Sequence, residues 1–175
     1  MTPTEYERLD GLALAGLLHS GQVSAPEVMA CALQLAEARN PPLNALCEVQ
    51  AEQAMVAARQ ARPKGQFGAL PFLLKDSGLA AVGIPSSVGS RLFLGQTAPA
   101  DATLTTRFRA AGFLPFGRTT VPEFCMAPTT EAAVYGGPTR NPWALDLSSG
   151  GSSGGAAAAV AAGIVPLAHG SDGGG

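Results

Sequence analysis

The sequence predicts an α/β protein with buried parallel or mixed strands, and three observations carry that prediction. Residues 1–62 are rich in Ala, Leu, Glu and Gln at helical spacing. Beyond them, short and nearly all-apolar runs alternate with helix signals, the pattern of strands covered on both faces. The 22 glycines and 14 prolines gather after Arg62, so turns and loops should join these elements. With 46% hydrophobic and 14% charged residues, a chain of 175 residues suits one packed domain. Residues 1–62 read as a helical layer and residues 63–175 as α/β core, with no linker between them.

Taken in order, Leu9, Leu12, Leu14, Leu17 and Leu18 predict a helix ending near Gly21. Ser24-Ala25-Pro26-Glu27 is a capping box, with Pro26 where its missing N–H does no harm. The helix it opens should bury Val28, Cys31, Leu35 and Ala38 and stop at Asn40-Pro41-Pro42. A third helix is expected over residues 48–61. Residues 70–74 form an apolar run ending in Lys75-Asp76, a buried strand. Asp101 should cap a helix through Ala111, with Gly112 just past its end. Residues 113–116 read as a second strand turning at Gly117, residues 118–147 as a long loop. A polar glycine-rich segment follows over 148–155, then an alanine helix over 156–162 and a third strand over 164–168.

Several function classes are disfavoured. A net charge of -2 with scattered basic residues offers no surface for nucleic acid or an anionic membrane. Cys31, Cys47 and Cys125 share no spacing, which argues against a disulfide framework or a metal site. Glu5, Glu7, Arg8 and Asp10 break any signal-peptide core, and the longest apolar run, over 156–168, is interrupted by Gly163 and Pro166. The expectation is a soluble, cytoplasmic protein.

The segment Ser148-Ser149-Gly150-Gly151-Ser152-Ser153-Gly154-Gly155 admits four readings. A phosphate loop needs Lys-Ser/Thr after its second glycine, and Ala156-Ala157 stand there. A flexible linker fits the composition but not the helix and apolar run that follow at once. Gly151 to Gly155 satisfy G-x-S-x-G with Ser153 as nucleophile, yet the only downstream histidine, His169, precedes the only downstream acid, Asp172. The fourth reading joins the loop to Lys75 and to the terminal glycines. Burial at a strand end lowers a lysine's pKa and makes its neutral amine a general base. A neighbouring serine can then relay a proton to a second serine, and successive glycine amides can hold an oxyanion.

Three blocks carry a family resemblance: Leu70-Pro71-Phe72-Leu73-Leu74-Lys75-Asp76, Gly136-Gly137-Pro138-Thr139-Arg140-Asn141-Pro142-Trp143, and Ser149-Gly150-Gly151-Ser152-Ser153-Gly154-Gly155. In order and spacing they resemble the amidase-signature family, over essentially the whole chain, with residues 1–175 as part of one amidase domain. The resemblance implies a mixed, twisted β-sheet flanked by helices. It implies Lys75 as catalytic base, Ser152 as a bridging serine held through a cis peptide bond, and Gly173, Gly174 and Gly175 as backbone oxyanion donors. The nucleophilic serine would be the residue after Gly175, so the 175-residue chain should be inactive alone. Ser153 and Asp172 are supporting residues, the aspartate ordering the glycine turn. Cys125 and Met126 would line the acyl or leaving-group pocket, and His169 would support the strand end. Glu123 is expected to be a loop carboxylate.

Two departures from the family stand out. Ser149 occupies a position usually held by proline, and Asp172-Gly173-Gly174-Gly175 replaces Asp-Thr-Gly-Gly. With His169, the second variant is similar to a subgroup that includes hydrolases of cyclic 6-aminohexanoate dimers. The implied activity is hydrolysis of a small-molecule carboxamide, with no cofactor or metal and no direct nucleic-acid or membrane partner; a homodimer is compatible. An amidotransferase component that feeds ammonia to glutamylated tRNA, and a non-catalytic fragment, are the alternatives.

Overall fold

The computed structural model describes residues 1–173. Helix α1 (Pro3–Tyr6) starts at a Thr2/Glu5 capping box, and α2 (Gly11–His19) starts at Asp10, whose carboxylate accepts from the Leu12 and Ala13 amides. The Ser24/Glu27 capping box opens α3 as expected. That helix runs Ala25–Leu43, through Pro41 and Pro42 rather than stopping before them. Buried Leu43 packs with Ala45 and Ala158 at its end, and Asn40 Oδ1 accepts from the Ala45 and Leu46 amides. These contacts carry the chain past two residues that cannot donate a helical hydrogen bond. Val28, Cys31 and Leu35 are buried, whereas Ala38 faces solvent.

The segment expected to begin a third helix at residue 48 divides instead into strand β1 (Leu46–Val49) and helix α4 (Ala51–Gln60). Strand β2 (Leu70–Lys75) is buried at every position. Helix α5 (Thr103–Ala110) is not capped by Asp101; that carboxylate accepts from Val82 N–H and Arg109 Nε instead. Gly112 (φ +98°) then turns the chain into β3 (Phe113–Thr119), three residues longer than the apolar run alone predicts. A Cβ on Gly112 would lie 2.7 Å from the Gly68 nitrogen, so the position requires glycine.

The sheet order is β1-β3-β2, with β1 antiparallel and β2 parallel to β3, so the sheet is mixed as predicted. Stacked Phe67, Phe72 and Phe113 rings, with centroids 4.2 Å apart, pack across it. The stretch read as one long loop holds short ladders: β4 (Glu131–Ala132) with β5 (Gly137–Pro138), and β6 (Arg140–Asn141) with β7 (Ala144–Ser148). Helix α6 (Gly154–Ala161) buries Gly154, Gly155, Ala156, Ala158 and Ala159. Residues 164–168 form no full strand. Ala168 bridges in parallel to Leu73 on the free side of β2, and Tyr6 Oη donates to Ile164 O at 3.2 Å. No helix among the described residues is long and apolar enough to cross a membrane.

Candidate active site

Strand β2 delivers Lys75 into the protein because every residue before it is buried, and Lys75 itself is 0% exposed. A buried ammonium or amine needs partners. Lys75 Nζ donates to Ser152 Oγ and to the Ser171 carbonyl, both at 2.8 Å. The sequence places these residues far apart, and the fold joins them.

The glycine-rich loop is fixed from several directions. The Gly151–Ser152 peptide is cis, as the resemblance implies. Thr130 Oγ1 donates to Gly150 O at 2.8 Å and accepts from Gly154 N at 3.1 Å, so one buried hydroxyl clasps both arms of the loop. Gly151 passes so close to the backbone of Pro128 and Thr129 that a Cβ would sit 2.9–3.0 Å from it. Ser153 Oγ donates to Ser171 O at 3.1 Å and accepts from Ser171 N at 3.2 Å, tying the final segment to the start of α6. These partners differ from the base and acid of a nucleophile elbow. The loop also follows the β6–β7 ladder rather than a strand of the main sheet. A cavity of about 520 Å³ opens here, lined among others by Ser149, Ser152, Ser153, Ser171 and Asp172.

The surroundings of Lys75 act on its pKa in both directions, with burial the stronger. Burial lowers the Lys75 pKa, opposed by Cys125 and Asp172. Burial also raises the Cys125 thiol, against the pull of Lys75. With the thiol uncharged at neutral pH, the Asp172 carboxylate is the group that opposes burial there. Cys125, at φ +59°, thus stands within electrostatic reach of Lys75. Met126 is 85% exposed, and neither it nor Cys125 lines this cavity. Cys125 ends the 3-10 turn Glu123–Cys125 half-buried, and the following methionine lies in solvent. Glu123 lies in that turn and is exposed, a loop carboxylate. Gly173 is exposed, and Gly174 and Gly175 lie outside the described residues.

Sequence reasoning missed the support beneath the lysine. The Asp76 carboxylate, 1% exposed, accepts from Ser87 N–H and Oγ, Ser86 Oγ and Tyr135 Oη. Arg118, also 1% exposed, donates to the carbonyls of Lys75, Leu79, Ile84 and Pro85, with Nε 3.9 Å from Asp76. The available signal was the Lys75-Asp76 pair after an apolar run; nothing beside Arg118 in the sequence points to its partners. Among the described residues, no group of three or more His, Cys, Asp or Glu is placed to hold a metal ion.

The fold and the Lys75–Ser152–Ser171 cluster define an α/β protein with a mixed sheet flanked by helices. The family profile described as Amidase matches residues 27–175. A glutamyl-tRNA(Gln) amidotransferase subunit from Mycobacteroides abscessus is 40% identical over 180 residues, covering 98% of this chain and 36% of that one. The structure of 6-aminohexanoate cyclic dimer hydrolase complexed with substrate superposes with a TM-score of 0.86 at 39% identity, over 93% of this chain and 33% of that one. A bacterial aryl acylamidase of the amidase signature family gives a TM-score of 0.84 at 35% identity, over 91% and 34%. The chain belongs to the amidase signature family. It spans 36% of the length of the curated relatives it matches.

Proposed function

We propose that this chain carries the base and proton-relay half of an amidase that cleaves small-molecule carboxamides. The observation that carries the reading is the buried Lys75 Nζ donating to Ser152 Oγ at 2.8 Å. In its neutral form Lys75 accepts the Ser152 proton while Ser152 takes the proton of the nucleophilic serine, the residue expected after Gly175. That serine adds to the amide carbon, and backbone amides of the Gly173–Gly175 run hold the tetrahedral oxyanion. The relayed proton returns to the leaving nitrogen, and water releases the acid from the acyl-enzyme by the reverse relay. The 175-residue chain by itself should not turn over amides; turnover abolished by a serine-directed phosphonate would refute this.

The test is a polypeptide continued through the rest of the domain and assayed on simple amides. Lys75→Ala should lower kcat by about 10²–10⁴-fold, the usual worth of a general base. Retained activity sinks the mechanism. A second reading rests on the 40% identity to an amidotransferase component. Glutaminase activity that appears only with partner proteins, with no hydrolysis of simple amides, would select it.

A further inference from the structure

We propose that His169 is a positioning residue whose neutral imidazole holds Lys75 and the Gly170–Gly173 segment in one frame, and that its protonation disengages them. The inference rests on Lys75 being the catalytic base. His169 occupies the place where another strand would extend the sheet beyond β2. Its backbone N–H donates to Leu73 O at 2.9 Å, continuing the Leu73–Ala168 bridge. One step further along β2, the Lys75 N–H finds no carbonyl and donates to His169 Nδ1 at 3.3 Å. The imidazole thus stands in for a ladder acceptor, which fixes its tautomer: Nδ1 accepts and the proton sits on Nε2. The same chain then delivers the Ser171 carbonyl to Lys75 Nζ two residues on. One histidine therefore grips the lysine's backbone while its neighbour grips the amine.

Protonation turns Nδ1 into a donor facing the Lys75 N–H, so the bond is replaced by opposition of two donors. The charged groups acting on the ring are Lys75 from β2, in its protonated form, and the Arg118 cation from β3, and Phe108 of α5 covers it at a centroid distance of 5.5 Å. Burial first, then both cations, hold the imidazole below its ordinary pKa. A histidine lowered on folding adds stability that is complete above its unfolded value near 6.5 and is lost as pH falls through the folded value.

Two measurements separate this proposal from the amidase reading. In ¹⁵N-histidine NMR of this chain, His169 should show the neutral Nε2–H tautomer at pH 7, with slow exchange of the Lys75 amide. In the extended enzyme, a Lys75 base alone gives log kcat/KM a slope of about one against pH on the acid side, and a second protonation at His169 should steepen it. His169→Asn keeps an acceptor without a titrating group; it should retain kcat within about threefold at pH 8 and hold the slope near one. His169→Leu should lower kcat about tenfold, the effect of leaving a buried donor unpaired. An Nδ1–H tautomer, or a His169→Leu enzyme with unchanged kcat and pH slope, overturns the proposal even if Lys75→Ala is inactive. If His169→Leu does not fold, the wild-type tautomer and the His169→Asn slope decide.

Discussion

Lys75, Asp76 and Arg118 are polar residues placed where apolar ones are the rule, and each is tolerated for a different reason. Lys75 is matched to a hydroxyl and a carbonyl and shifts toward neutrality. Asp76 keeps its charge. Burial alone would raise its carboxyl, but hydrogen bonds from Ser86, Tyr135 and Ser87 outweigh burial and hold it below the ordinary value. A carboxyl lowered on folding contributes stability that is present above about pH 3.9 and is lost as pH falls through the folded value. Asp76→Asn should therefore flatten acid unfolding below about pH 4. It should also destabilise the protein by about 3–5 kcal/mol at pH 7 by leaving Arg118 uncompensated, as read by urea unfolding. The Lys-Asp pair was legible in the sequence as adjacent charges after an apolar run. Arg118 was not, because its meaning depends on four carbonyls contributed by β2 and the loop that follows it.

At the level of elements, local signals succeeded where the stabilising group lies within a few residues. The Ser24–Glu27 box formed as written, and Ser24→Ala should cost about 1 kcal/mol in thermal or urea unfolding. Strand β1 was illegible because Leu46-Cys47-Glu48-Val49 has no strong alternation and pairs only when β3 offers its edge. Asp101 resembled a cap, yet its carboxylate is recruited by Arg109 and the Val82 amide across the fold. The helix after the signature loop depends on glycine for close approach: a Cβ on Gly155 would lie 2.5 Å from the Thr120 nitrogen and 2.6 Å from Ala45 O. Gly155→Ala, although it favours helix locally, should destabilise by about 1–3 kcal/mol through overpacking. A stabilised variant in urea unfolding would contradict that packing.

Across the whole molecule, the main core runs from Tyr6 through β2 to Val165, with a small second cluster of Leu43, Ala45 and Ala158. Elsewhere the surface carries large apolar side chains: Leu92, Leu94, Met126 and Trp143 are each at least 68% exposed, and Leu145 and Leu147 of β7 are about half exposed. Such surface favours association. The 175-residue chain should bind a hydrophobic dye such as ANS at neutral pH, and a polypeptide as long as the curated relatives should bind markedly less. Equal binding by both would show that these side chains are not covered in the longer protein.

The sequence by itself determined the α/β class, the capping boxes, the buried strand ending at Lys75 and the glycine-rich loop, because each is written in neighbouring residues through periodicity, side-chain caps or freedom from a Cβ. Only the tertiary structure decided that Lys75 meets Ser152 and Ser171, that Thr130 clasps the loop, and that Met126 faces water. It also gave the Lys75 amide a histidine as partner. Those outcomes depend on which strands adjoin and on how buried donors find acceptors, and burial makes such pairing compulsory without fixing in the sequence who the partner is.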